Sequence, residues 1–257
     1  MKQITFSYTT KLTFDDDVHG HSFALRIIPP DSPVQKLLQY DLHITPLTQY
    51  CQTVDAFGNH VISGYINEPH RFLDFTIKGR AEVDLSQSRT DFLPCYRYPS
   101  ELTKPDASIQ DFFAEHSTAC DSSDPASCAA FWSELLSDTL RYEKGVTCSG
   151  TTAAEVMAAG AGVCQDFSHL LISLLRLHGI PARYMAGLAY CNGETHAWVE
   201  YWNTDHWEGI DPSNNCPVSE NYLVLSQGRD FADCSINRGV MLGNYTQQMQ
   251  LVRSVLS

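Results

Sequence analysis

The sequence predicts an α+β fold in three parts: an N-terminal antiparallel β-sandwich module at residues 1–85, a helical connecting segment at 86–145 and an α+β core at 146–257. Three observations support this prediction. Short runs of alternating apolar and polar residues fill the first part, and apolar residues at helical spacing fill the second. In the third part, a long apolar helix pattern is followed by three β-like runs.

The β-sandwich module contains six predicted strands, at 4–8, 23–28, 37–44, 50–54, 61–66 and 72–83. Turn residues such as Pro29-Pro30 and Gly58-Asn59 separate them, since proline and glycine favour turns over extended chain. Residues 15–21 combine three aspartates with two histidines, but their spacing matches no metal-ligand pattern. We therefore interpret 15–21 as a solvated loop.

Capping residues mark the helices that follow. Asp106 is a candidate N-cap for a helix that ends near His116, and Pro125 opens a second helix with apolar residues at helical spacing. Thr152 and Glu155 form a capping box before a short third helix. The sequence thus predicts three helices before its most specific motifs.

A fourth, longer helix is predicted over 163–178, because Gly179 and Pro181 supply the usual stop signals directly after it. Three β-like runs follow, at 184–190, 195–202 and 207–210, with turns at 191–193 and 203–205. We expect the long helix to pack on an antiparallel sheet that these runs form.

Composition excludes several classes of function. The 257 residues carry a formal net charge of -13 and no lysine- or arginine-rich run, so the chain would repel nucleic-acid phosphates and anionic membrane surfaces. No apolar stretch approaches the roughly 20 residues that span a bilayer, and the N-terminus has no apolar signal segment. We therefore expect a cytoplasmic protein with no nucleic-acid or membrane partner.

The nine cysteines include no CxxC pair with zinc or redox spacing, and without a signal segment we expect the thiols to be reduced. The sequence also contains no glycine-rich phosphate loop, so we expect no metal and no cofactor. Cys164 differs from the others because it lies in the first turn of the predicted helix 163–178. The helix dipole and the backbone N–H groups there favour a thiolate and can hold an oxyanion. Cys164 is therefore the candidate nucleophile, and Asp166 is expected to cap the same turn. The other eight cysteines are expected to be inert.

A nucleophilic cysteine needs a base within reach. His169 lies about 500° further round the helix, and His178 lies about 21 Å along its axis, so neither reaches the thiol. His196, near the start of a predicted strand, is the better candidate. Asp211 directly follows the last β-like run and precedes Pro212, where a neighbouring antiparallel strand could place it beside His196 to orient the imidazole.

Four motifs in this order resemble the bacterial transglutaminase-like proteins. They read Gly162-Val163-Cys164-Gln165-Asp166-Phe167, His178-Gly179-Ile180-Pro181-Ala182-Arg183, His196-Ala197-Trp198-Val199-Glu200 and Gly209-Ile210-Asp211-Pro212-Ser213-Asn214. The front half is similar to the β module that often precedes this core, so the resemblance covers roughly 25–85 and 145–245. It implies a core related to papain-type peptidases, with Cys164, His196 and Asp211 as a Cys-His-Asp triad.

Three other acids compete with Asp211 for the third position. Glu200 shares a strand face with His196 but lies about 13 Å along it, at 3.3 Å per residue. Asp205 lies in a polar hairpin turn, and alternation puts Glu208 on the opposite sheet face from Asp211. We therefore predict an Asp211 oxygen within about 2.6–3.2 Å of one His196 ring nitrogen, with the other nitrogen facing the thiol.

The residues and the resemblance together predict a thiol enzyme that acts on peptide or side-chain amide bonds of a peptide or protein substrate, through a thioester acyl-enzyme. Hydrolysis is favoured because water needs no dedicated acceptor pocket. A transglutaminase with an amine acceptor and a non-catalytic peptide-binding module are the alternatives, and a scaffold whose β module binds a partner is a third. Gln165, where the family often has a basic residue, does not indicate the substrate.

Overall fold

The computed structural model describes residues 1–46, 49–121, 123–190 and 194–256, and it confirms the predicted α+β fold. The strands are β1 (Lys2–Leu25), β2 (Gln35–Thr45), β3 (Tyr50–Val54), β4 (His60–Ile66), β5 (His70–Val83), β6 (Arg141–Tyr142), β7 (Ala161–Gly162), β8 (Ala182–Ala189), β9 (His196–Asn203), β10 (His206–Asp211), β11 (Cys216–Pro217), β12 (Tyr222–Gly228), β13 (Asn237–Leu242) and β14 (Gln247–Leu256). The helices are α1 (Ala107–His116), α2 (Pro125–Thr139), α3 (Ala153–Ala159), α4 (Cys164–Leu177) and α5 (Phe231–Cys234). The predicted turn at 191–193 lies outside the described residues. Within the described ranges, no helix combines the length and the apolar character that crossing a membrane would require.

The N-terminal strands form an antiparallel sheet in the order β2-β5-β1-β4-β3, which agrees with the antiparallel pairing that the sequence predicts. Strand β1 belongs to both halves of the sheet, because its first half pairs with β5 and its second half pairs with β4. The sheet therefore curls, and it encloses alternating apolar side chains such as Phe6, Leu12 and Phe75.

The prediction of a solvated loop at 15–21 is wrong, because these residues belong to β1. This strand joins two of the predicted strands into one. The register with β5 shifts between Thr13 and Val18, so the strand bulges there. Asp17 stays exposed on this bulge and pairs with Arg71 at 2.7 Å, while Val18 is fully buried. A bulge thus accommodates a run of aspartates inside a continuous strand.

Two strands from the C-terminal end complete the N-terminal sheet. Strand β13 pairs with the second half of β1 and β14 pairs with the first half, both antiparallel. Residues 237–256 therefore pair with the N-terminal module, although the sequence division placed them in the core. The division at 85 and 145 stays a prediction.

The core contains a second antiparallel sheet, in the order β11-β10-β9-β8-β12. Helix α4 packs on β8 and β9, while α2 and α3 pack against α4. The α4 side chains of Leu170, Leu171 and Leu174 are fully buried as a result. The predicted packing of the Cys164 helix on an antiparallel sheet is confirmed.

The predicted helix caps are present. Asp106 accepts the backbone N–H of Ile109 at 3.0 Å at the start of α1. At the start of α3, the Glu155 carboxylate accepts the N–H of Thr152 at 2.8 Å, and the Thr152 hydroxyl accepts the N–H of Glu155 at 3.3 Å. Gly179 has φ +78° after α4, a left-handed conformation that glycine adopts without strain. Local sequence therefore decides where these helices begin and end.

The outer edge of β12 is covered by two buried amide side chains of the N-terminal module. Gln35 Nε2 donates to the carbonyl oxygen of Val224 at 3.1 Å, and the N–H of Val224 donates to Gln35 Oε1 at 2.8 Å. Asn59 makes the same pair of hydrogen bonds with Gln227, each at 2.8 Å. These amides satisfy backbone groups that a neighbouring strand would otherwise satisfy, and so they join the module to the core.

Candidate active site

Cys164 is the first residue of α4 and follows the short strand β7 by one residue. The Asp166 carboxylate holds this helix start, because its Oδ2 accepts the N–H of Val163 and the hydroxyl of Thr147, both at 2.7 Å. Burial raises the pKa of Asp166. Gly162 leaves the space for this carboxylate, since a Cβ there would lie 2.6 Å from it. The predicted capping role of Asp166 is confirmed, and the cap positions the half-buried Cys164.

His196 and Asp211 meet across the β9–β10 hairpin. His196 begins β9 and Asp211 ends β10, and the antiparallel pairing of these strands brings the two ends together. His196 Nε2 lies 2.6 Å from Asp211 Oδ2. The His196 side chain is 10% exposed and the Asp211 side chain is fully buried. The predicted contact between these two residues is therefore present.

The Asp211 carboxylate is held by several further donors. Its Oδ1 accepts the N–H and the hydroxyl of Ser213, at 3.1 and 2.8 Å, and the N–H of Asn214 at 3.1 Å. Its Oδ2 accepts the Asn214 side-chain amide at 2.7 Å and the Tyr222 hydroxyl at 2.9 Å. Burial acts to raise the pKa of Asp211, but His196 and these donors lower it to about 2. The group is therefore a stable anion.

The remaining ring nitrogen of His196 is left for the thiol of Cys164. Burial acts to lower the pKa of His196, but its hydrogen bonds with Asp211 and with Cys164 raise this pKa to about 10. The imidazolium therefore persists at neutral pH, where it can stabilise a thiolate. The structure thus brings all three predicted site residues together.

The three competing acids are engaged elsewhere. Glu200 forms an ion pair with the buried Arg183 at 2.7 Å. Glu208 accepts the Tyr201 hydroxyl at 2.7 Å. Asp205 is 84% exposed in the turn between β9 and β10. Their hydrogen bonds and positions agree with their exclusion from the third position of the site.

The two histidines associated with α4 point away from the thiol. His169 is fully buried and accepts the backbone N–H of Phe231 at 3.1 Å. His178, at the C-terminal end of α4, lies with its Nε2 3.2 Å from the Sγ of Cys120. The helical geometry that excluded both as the base is thus consistent with the structure.

Sequence reasoning missed three residues at the site: Asn214, Tyr222 and Tyr142. Asn214 ends the last of the four motifs, so that motif offered a signal for it. Tyr222 reaches Asp211 from β12, which no spacing along the chain reveals. Tyr142 lies opposite Gly162 in the parallel pair β6–β7, and its hydroxyl lies beside the backbone N–H of Cys164. Its position depends on that pairing.

The chain is similar to known families and proteins. Residues 111–212 match the transglutaminase-like superfamily, and residues 4–82 match the bacterial transglutaminase-like N-terminal region. An uncharacterized protein of Mycobacterium leprae is 33% identical over 134 residues, which are 48% of this chain and 47% of that protein. The match thus spans about half the length of that relative. An uncharacterized protein of Mycobacterium tuberculosis is 29% identical over 93% of this chain and 87% of its own length.

A solved structure shares the whole architecture. A candidate cysteine protease from Cytophaga hutchinsonii superposes with a TM-score of 0.79 at 20% identity, over 100% of this chain and 91% of that chain. At this identity the likeness shows a common fold. The expected papain-like architecture of the core, preceded by a β module, is therefore confirmed.

Proposed function

The chain combines a bacterial transglutaminase-like N-terminal region with a transglutaminase-like core, and on that premise we propose that it is a thiol enzyme that hydrolyses peptide or side-chain amide bonds. One observation supports this proposal above the others. Cys164 begins a buried helix and contacts an imidazole whose other nitrogen lies 2.6 Å from the buried carboxylate of Asp211. A nucleophile, a base and an orienting anion are the groups that covalent catalysis at a carbonyl requires.

The proposed reaction begins with attack of the Cys164 thiolate on the amide carbonyl carbon, which moves the C=O π electrons onto the oxygen. His196 then donates its proton to the amide nitrogen, the C–N bond breaks, and the amine leaves a thioester on Cys164. The neutral imidazole next removes a proton from water as the water oxygen attacks the thioester. The thiolate leaves, the acid is released and the imidazolium is restored.

The oxyanion of the tetrahedral intermediate needs hydrogen-bond donors close to Cys164. The backbone N–H of Cys164 is one candidate, because it lies at the positive end of the α4 dipole. The Tyr142 hydroxyl beside that N–H is the second. We propose that a substrate carbonyl oxygen binds between these two groups and receives both hydrogen bonds.

The acyl acceptor distinguishes hydrolysis from cross-linking. A primary amine that replaced water in the second step would give a new amide bond, as in a transglutaminase. We favour water because it needs no dedicated acceptor site. The test is to incubate the full chain with peptide pools, with and without a primary amine, and to identify the products by mass spectrometry. Water-addition products in both samples support hydrolysis, whereas amine adducts that replace them contradict it.

Cys164→Ser is expected to reduce activity to background while it preserves the fold, because serine is similar in size but a much weaker nucleophile than a thiolate. Turnover and circular dichroism measure the two effects. Cys51→Ser, on the exposed strand β3, is the matched control and should keep full activity.

Thiol labelling separates the enzyme from a non-catalytic peptide-binding module. Iodoacetamide at pH 6 should modify Cys164 fastest, because its thiol lies at the start of α4 beside the His196 imidazolium. Equally slow labelling of all the thiols, or most of the turnover retained in Cys164→Ser, would refute the proposed enzyme.

A further inference from the structure

Two thiols and one imidazole meet at the end of α4 that is remote from Cys164. Cys120 precedes α2, Cys128 lies in the first turn of α2, and His178 caps the C-terminal end of α4. Their ligand atoms all lie within 4.8 Å of one another, and Cys120 Sγ is 3.2 Å from His178 Nε2. These three residues, called the Cys2His cluster below, have no part in the proposed reaction.

We propose that the Cys2His cluster binds one Zn²⁺ ion. Two sulfurs and one imidazole nitrogen are ligands that zinc prefers. Zinc–sulfur bonds of about 2.3 Å and zinc–nitrogen bonds of about 2.0–2.1 Å place tetrahedral ligand atoms roughly 3.6–3.8 Å apart. The ligand atoms of the cluster, which lie within 4.8 Å of one another, can reach this spacing by small side-chain rotations.

The packing around the cluster orients two of its ligands. Cys128 is fully buried, and its Sγ lies 3.2 Å from the backbone carbonyl oxygen of Asp121. The His178 ring packs edge-on against Phe113, with 4.6 Å between centroids, and lies 5.7 Å from the Trp132 ring. Side chains that are already oriented lose little conformational entropy when an ion binds.

The charge and exposure of the surroundings favour a bound cation. Asp121 and Asp124 place two carboxylates near Cys128, and their negative potential attracts a divalent ion. Cys120 and His178 are only half-buried, so water can enter as the fourth ligand. The site therefore has three protein ligands and an accessible fourth position.

A bound ion would fasten the start of α2 to the C-terminal end of α4. Cys164 lies at the other end of α4, about 21 Å from His178 at 1.5 Å per residue. The ion would therefore stabilise the position of the catalytic helix, and it would take no part in bond making or breaking.

The experiment is a titration of the reduced, metal-free full chain with Co²⁺ and then with Zn²⁺, in the Cys164→Ser background so that the active-site thiol cannot contribute. We expect one ion per chain, a thiolate-to-cobalt charge-transfer band that Zn²⁺ abolishes, and a Tm that rises with Zn²⁺ concentration. Cys120→Ser and His178→Gln should each weaken binding at least about tenfold. Cys51→Ser is the matched control and should leave binding unchanged.

Two outcomes would overturn the zinc site. One is cobalt binding without a thiolate band, or with a band that Cys120→Ser leaves unchanged. The other is a Cys120–Cys128 disulfide in the native protein together with no ion bound after reduction, which would assign the two thiols to redox chemistry. Cys120 and His178 are the half-buried ligands, so their variants keep the core, and circular dichroism verifies the fold of each.

Discussion

The Asp211 carboxylate accepts hydrogen bonds from Ser213, Asn214 and Tyr222 in addition to its contact with His196. A carboxylate held by this many donors cannot turn away from the imidazole, so it sets the orientation and tautomer of the ring. It also stays ionised, since its pKa is lowered to about 2. The chemistry proposed for Cys164 therefore depends on a fully buried carboxylate that acts through His196.

Asp211→Asn is expected to lower kcat/KM by about 10²–10⁴-fold, because an amide holds the imidazole in the wrong tautomer. In the wild type, activity should fall as pH rises through about 10, where His196 loses its proton. The substitution removes the main interaction that raises the pKa of His196, so this alkaline limb should move to lower pH. The measurement is the pH profile of kcat/KM.

Asp205→Asn is the matched control for this prediction, because Asp205 is 84% exposed in the β9–β10 turn. It should leave both the rate and the pH profile unchanged. An alkaline limb that stays in place in Asp211→Asn would show that another group orients His196.

Tyr142→Phe tests the proposed second oxyanion donor. Loss of a donor that acts in the transition state should lower kcat by about 10²–10³-fold with little change in KM. Steady-state kinetics on a single peptide separates the two constants. Tyr98→Phe, at an exposed site on the segment before α1, is the control. A rise in KM with unchanged kcat would instead make Tyr142 a substrate-binding residue.

Helix α4 and the sheet beneath it determine where the site forms. The helix presents its start, and therefore Cys164, to the end of the hairpin that carries His196 and Asp211. Close packing between strands β8 and β12 supports this arrangement, because Gly187 of β8 lies opposite both His196 and Val224. A small residue at that point lets β9, which carries His196, and β12, which carries Tyr222, lie close to β8.

Gly187→Ala is expected to destabilise the protein by about 1–3 kcal/mol, since overpacking forces neighbouring groups apart. A Cβ at this position would lie 2.7 Å from the Trp198 ring and even closer to the carbonyl oxygen of Leu223. Urea unfolding measures the change. Gly150→Ala is the matched control, because a Cβ there meets nothing within 4 Å. Equal stability of the two variants would contradict the close approach.

The last two strands of the chain, β13 and β14, pair with its first strand, β1. Strands β13 and β14 flank β1, so the N-terminal sheet is complete only when residues 237–256 have folded onto it. The module and the core are also joined by the buried amides of Gln35 and Asn59, which bind the free edge of β12. The site residue Tyr222 lies on that same strand, so docking of the module supports the site.

Gln35→Ala and Asn59→Ala should each lower the free energy of unfolding by about 1–3 kcal/mol, because each removes the hydrogen-bond partner of a backbone N–H and a backbone carbonyl of β12. Thermal and urea unfolding measure the loss. Gln3→Ala, whose amide contacts Glu82 on the exposed surface, is the control and should change stability little. Equal effects of the three substitutions would show that the β12 edge is satisfied in another way.

The local sequence was sufficient to predict the helices and the candidate catalytic residues. Caps such as Asp106, Thr152 and Gly179 act over three or four residues, so helix bounds could be predicted almost to the residue. The bounds of strand β1 could not be predicted in this way, because the bulge at 13–18 is stabilised by pairing with β5, which is distant in the sequence. The order of Cys164, His196 and Asp211 in their motifs likewise predicted which residues meet, but not the donors that hold Asp211.

The sequence by itself determined the α+β class, the helix ends and the candidate nucleophile, base and orienting acid. Only the tertiary structure decided that β13 and β14 complete the N-terminal sheet, that Tyr142 and Tyr222 border the site, and that Cys120, Cys128 and His178 converge. The physical reason is the range of the interactions. Caps and alternation act between near neighbours in sequence, whereas strand pairing and side-chain clusters join residues that only the folded chain brings within contact distance.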